Sequence, residues 1–176
     1  MKNIDITKFN QTMDQLVETY SDYKKVTEFE RKVGASVCRA ADLAMSDLKL
    51  NFNQPKFRLV SAPTGGSKTS SCIALLSMLA NENKGSSGAY ICKTIEECEE
   101  QYRKLKNLVG NDQLAIYSSL HQTNASPSLM LEKKRELGLE IEDRFDSNDL
   151  NNTRLIITTH KRWTKEDEYQ TDLGVR

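Results

Sequence analysis

Between residues 57 and 159 short apolar runs alternate with helical stripes, and this alternation restricts the fold more than any other feature of the chain. Phe57-Arg58-Leu59-Val60-Ser61, Ala89-Tyr90-Ile91-Cys92, Leu114 to Ser118, and Leu155-Ile156-Ile157-Thr158 all have strand length. They are apolar on both sides, which requires cover on both faces. The first two intervals hold stripes at three- and four-residue spacing: Cys72, Leu75, Leu76, Leu79 and Ala80, then Ile95, Cys98, Tyr102, Leu105 and Val109. The third, His121 to Asn152, is polar and contains a helix that starts at Pro127 and stops before Gly138. Strands joined by helices predict an α/β fold, a three-layer arrangement with a parallel sheet between helices.

The first 50 residues read differently. Ile6, Phe9, Met13, Leu16, Val17 and Tyr20 form one helical face, and Val26, Phe29, Val33, Val37, Ala41, Ala44 and Leu48 form a second, with Ser21 as the expected cap between them. Pro55 pushes its predecessor toward extended backbone and ends this region. The expected organisation is a helical region over 1–50 that packs on the core, followed by an α/β region over 51–176. Within the latter, Thr94 is placed to cap a helix that Gly110 stops. Glu96, Glu97, Glu99 and Glu100 precede Arg103, Lys104 and Lys106, an order that suits the helix dipole and reads as structural.

Composition removes several classes. At 176 residues the chain is one ordinary domain, large enough to need no staples. Equal numbers of basic and acidic residues, 25 each, exclude a polycation that binds nucleic acid by bulk charge. Cys38, Cys72, Cys92 and Cys98 form no CxxC pair, and His121 and His160 lie far apart, so neither a zinc site nor a disulfide scaffold is expected. Each Cys falls in an apolar pattern and reads as a small buried hydrophobe. No apolar stretch has signal-peptide or membrane-span length, so the expectation is a soluble, cytoplasmic protein without a membrane partner.

The segment Ala62-Pro63-Thr64-Gly65-Gly66-Ser67-Lys68-Thr69 lies between the first apolar run and the first stripe after it. A loop there brings backbone N–H groups of a helix N-terminus together on an anion. Ala-Pro-Thr-Gly-x-x-Lys-Thr resembles motif I of the superfamily 2 helicases and translocases, the DEAD/DEAH-like group. The resemblance implies a RecA-like P-loop NTPase fold, here incomplete, with ATP and Mg²⁺ as ligands. Thr64, Gly65, Gly66, Ser67, Lys68 and Thr69 would form the nucleotide site. Lys68 would meet the β- and γ-phosphates, and the Thr69 hydroxyl would hold the metal. The usual glycine before the lysine is replaced by Ser67, which predicts backbone strain if that position needs an unusual φ.

Two later segments extend the resemblance. Ala89-Tyr90-Ile91-Cys92-Lys93-Thr94, followed by Gln101, is similar to motif Ia, and Leu155-Ile156-Ile157-Thr158-Thr159-His160 is similar to motif Ib. In the family these hold one nucleic-acid strand by its phosphates, which makes Lys93, Thr94, Thr159, Lys161 and Arg162 the expected contacts. Lys133, Lys134 and Arg135 are flanked by Glu132 and Glu136 and read as a solvated helix face. The family's next element, a strand ending in Asp-Glu (Walker B), does not follow Thr159. Asp167-Glu168 follows Trp-Thr-Lys-Glu instead of an apolar strand.

The expectation is therefore an ATP-binding first lobe that neither hydrolyses ATP nor unwinds a duplex by itself. The remainder of a helicase, a protein partner or a second copy would complete its sheet, and DNA or RNA would bind weakly. The alternative is a non-catalytic helicase-like interaction protein that uses no ATP. A P-loop phosphotransferase is disfavoured by the Ala-Pro-Thr-Gly opening and by the long connection before the fourth strand.

Overall fold

A computed structural model describes residues 4–20, 25–50, 58–82, 87–110, 113–121, 126–138, 145 and 152–160. Its elements in chain order are helices α1 (Ile6–Tyr20), α2 (Glu28–Leu50) and α3 (Lys68–Glu82), strand β1 (Gly88–Cys92), helix α4 (Ile95–Lys106), strand β2 (Leu114–Tyr117), helix α5 (Pro127–Leu137) and strand β3 (Leu155–Thr159). The chain divides into two compact units, Met1–Met78 and Leu79–Arg176.

In the first unit α1 and α2 pack along the expected stripes. Phe9, Met13, Leu16 and Val17 are buried on α1, and Val33, Val37 and Cys38 on α2. The closest approach depends on Gly34, since a Cβ there would lie 2.6 Å from the Phe9 ring. Asp5 starts α1 by accepting from the N–H groups of Thr7 and Lys8 (2.9 and 3.3 Å). Arg31 of α2 grips Asp14 of α1 at 2.8 Å. The cap of α2 is Thr27, whose hydroxyl accepts from Glu30 N–H (3.2 Å) while the Glu30 carboxylate accepts from Thr27 N–H (2.8 Å). This capping box corrects the expectation for Ser21, which lies outside the described residues. Phe29, expected on the buried stripe, is 48% exposed.

The run Phe57–Ser61 is not a strand over its described part: Arg58 to Pro63 has no regular structure, and Leu59 is 94% exposed. Its apolar composition fits a strand, but a strand is defined by a ladder, and no neighbouring strand pairs with this segment among the described residues. Phe57 itself lies outside them.

In the second unit the three remaining strands form a parallel sheet of order β1-β3-β2. Parallel neighbours need a crossover, and α4 supplies the one from β1 over β3 to β2, packing on all three strands. Residues of β2 and β3 are nearly all buried, whereas β1 alternates, so β1 departs from the expected two-sided burial. Thr94 caps α4 as the sequence predicts. The helix ends at Lys106, before the expected stop at Gly110. α5 starts at Pro127, and Gly138 closes it in left-handed backbone (φ 64°), also as predicted. Arg154 bonds the Ala80 carbonyl (3.1 Å) and Asn81 the Leu108 carbonyl (3.0 Å).

All four cysteines are free. Burial pushes the Cys38 thiol up to about 12, and the Cys92 thiol, hydrogen-bonded to Cys98, is also raised. No described helix is long and apolar enough to cross a membrane.

Candidate functional site

The loop before α3 is built by its glycines. Gly66 N–H donates to Pro63 O (3.2 Å), closing a turn whose third residue, Gly65, has φ 80°. That is the type II pattern, which requires glycine at this place. Gly66 sits in a tight place: a Cβ there would meet Pro63 O at 3.1 Å and the Phe29 ring at 3.3 Å. Ser67 follows with φ 52°, the only positive φ outside glycine among the described residues. A Cβ in left-handed backbone costs about 1–2 kcal/mol. The strain expected at Ser67 is present.

Ser67 also stands where a cap belongs. Its carbonyl accepts the first α3 bond, from Ser71 N–H (2.9 Å), but its hydroxyl donates away from the helix, to the Glu30 carboxylate on α2. The N–H groups of Lys68, Thr69 and Ser70, the first three residues of α3, have no intrahelical acceptor. No side chain among the described residues caps them. The Lys68 ammonium donates to the carbonyls of Ala62 and Pro63 (2.5 and 3.0 Å), so the positive charge sits over the loop that its own helix extends. Open amides, the positive end of a helix dipole and an ammonium together can hold an anion with several oxygens. One feature opposes this. The Glu30 carboxylate lies against the loop and is held below the usual carboxylate range by the Ser67 hydroxyl.

The other expected residues belong to the second unit. Lys93 and Thr94 follow β1, and Thr159 ends β3; Cys92 and Thr159 are register partners, so Lys93, Thr94 and His160 leave the carboxyl ends of neighbouring parallel strands. Lys93 and Thr94 are exposed, while Thr159 is only 9% exposed. The Thr94 hydroxyl accepts from Glu97 N–H (3.2 Å), and Glu97 accepts from Lys93 N–H (2.9 Å), so this helix start is already closed by its own carboxylate. Lys161 and Arg162 lie outside the described residues.

The sequence reading missed a buried chain of hydrogen bonds at the end of β2. Leu120 N–H donates to Ser118 Oγ (3.2 Å), the Ser118 hydroxyl meets His121 Nδ1 (2.6 Å), and His121 Nε2 meets Glu99 of α4. A neutral imidazole with its proton on Nε2 satisfies both contacts. Ser118, His121 and Glu99 are 0%, 1% and 6% exposed, so no substrate reaches the serine; the chain pins the turn after β2 to α4. Glu99 is thus a buried partner and not one more dipole charge. Its 22-residue separation from His121 gives no local signal.

No family model, no curated protein and no solved structure matches the chain.

Proposed function

We propose that this chain is an ATP-binding lobe of the superfamily 2 helicase type, with a RecA-like three-layer core of which three parallel strands are described. The observation that carries the proposal is Ser67. The motif has a glycine before its lysine, and this serine adopts positive φ at that place, against the preference of its own side chain. A positive φ directly before Lys68 supports a loop of the motif's kind, in which that position belongs to glycine.

The donor set fits a polyphosphate. Ser67, Lys68, Thr69 and Ser70 would offer N–H groups to phosphate oxygens, and Lys68 would exchange two loop carbonyls for phosphate charge. Thr69 is exposed at the first turn of α3 and would hold Mg²⁺, which supplies charge neutralisation between phosphates. On the sheet, Lys93 and the ends of β1 and β3 would meet the backbone of one nucleic-acid strand, joined by Lys161 and Arg162. Phosphate contacts would dominate that affinity and make it fall with salt. The direct pairing of β1 with β3, without the run before the loop, agrees with a sheet that the remainder of a helicase, a protein partner or a second copy completes.

Calorimetry with Mg-ATP tests the proposal. The unaltered chain is expected to bind, and Lys68→Ala to abolish the signal. Equal affinity in both proteins removes the reading. Glu30 at the loop favours one alternative, a helicase-like interaction protein that has given up nucleotide. That alternative requires no ATP binding together with a stable complex in sedimentation.

A further inference from the structure

We propose that Glu30 gates the Lys68 loop: its carboxylate holds Ser67 in place of phosphate, and a polyphosphate must displace that contact to bind. This inference rests on the nucleotide-binding reading above and adds the regulation of that site from α2.

Three observations lead to it. Ser67 keeps a costly φ of 52° and, instead of capping α3, gives its hydroxyl to Glu30, 37 residues earlier in the chain. A side-chain tether of this kind holds a backbone in a sparsely populated region. Second, Glu30 is itself fixed. One carboxylate oxygen accepts from Thr27 N–H and hydroxyl (2.8 Å each), so the other can rest on Ser67 only while α2 keeps its first turn in place. Third, no side chain among the described residues caps the amides next to Ser67, so a full negative charge stands beside donors suited to phosphate. Like charge at this range repels phosphate. The loop in its resting form is therefore held from within, by Lys68 on two carbonyls and by Glu30 on Ser67.

The test is calorimetric titration of Mg-ATP into the full chain, Glu30→Gln, Ser67→Ala and Lys68→Ala, with circular dichroism to verify folding. Glutamine serves the capping box as glutamate does, so Glu30→Gln removes the charge and keeps α2. The expected result is about tenfold tighter binding in Glu30→Gln, the effect of about 1.4 kcal/mol. Ser67→Ala, which frees the carboxylate from the loop, is expected to bind several-fold tighter and serves as the second variant if the first is unstable. Binding that needs Lys68 but is equal or weaker in Glu30→Gln and Ser67→Ala overturns the gate and leaves the nucleotide reading standing. No binding in any of the proteins, or binding that ignores Lys68→Ala, overturns both.

Discussion

Helices α3 and α4 both start after a hydroxyl residue, and these two starts differ in chemistry. Thr94 has extended backbone (φ −126°, ψ 165°), accepts from Glu97 N–H, and receives the Glu97 carboxylate back on Lys93 N–H. The positive end of α4 is thereby filled from its own first turn. Ser67 has left-handed backbone, turns its hydroxyl to α2 and, among the described residues, leaves the amides of Lys68, Thr69 and Ser70 without a side-chain cap. A hydroxyl before a helix is thus neither a cap nor an anion site by itself. What the hydroxyl is bonded to, and whether a carboxylate stands three residues later, decides between them. Glu97 stands there in α4, and Ser70 occupies the matching place in α3.

The largest expected effect comes from making the open end resemble the closed one. Ser70→Glu puts a carboxylate at the α3 position that Glu97 holds in α4, where it fills the free amides and repels phosphate. Mg-ATP affinity should fall by about a hundredfold or more, roughly 2.7 kcal/mol, with the thermal midpoint unchanged or raised. Unchanged affinity would show that the open amides are not the binding donors.

Stability measurements sharpen the same contrast at about a third of that size. Thr94→Ala removes a working cap and should cost about 1 kcal/mol by denaturant midpoint. At Ser67 the informative pair is Ala against Gly. Both lose the contact to Glu30, but only alanine keeps a Cβ at positive φ, so Ser67→Gly should exceed Ser67→Ala by about 1 kcal/mol. Two equal variants would mean that this backbone carries no strain.

Much of the second unit was legible because its signals are local. Ala89–Cys92 and Leu155–Thr158 were readable from apolar runs, the ends of α5 from Pro127 and Gly138, and the start of α4 from Thr94. At the loop before Lys68 the sequence led to an expectation of backbone strain at Ser67, and its positive φ agrees with that. The features missed depend on contacts distant in sequence. Phe57–Ser61 has strand composition, but composition does not supply the neighbour that a ladder needs. Ser21 and Thr27 are both acceptable caps, and the choice falls on Thr27 because Glu30 stands three residues later. Glu99 looked like a dipole charge among three other glutamates, and only the approach of His121 shows it to be a buried partner. Glu30 belongs to two contacts at once, and only the local one, to Thr27, is written in a short pattern.

The smallest expected effect separates those two contacts. A carboxylate depressed below its usual 4.5 in the fold contributes stability that is present above that value and is lost as pH falls through the folded one. The Ser67 hydroxyl is the leading cause of the depression at Glu30; burial opposes it, and the Thr27 bonds lower it further. Glu30→Gln should therefore flatten the acid side of a plot of melting temperature against pH, modestly, because solvent screens the group. Ser67→Ala should reproduce most of that flattening, and Thr27→Ala less of it. The reverse order would assign the depressed carboxylate to the α2 cap. The loop would then be left with a serine that Glu30 touches without holding, and the difference between the two helix starts would reduce to the open amides alone.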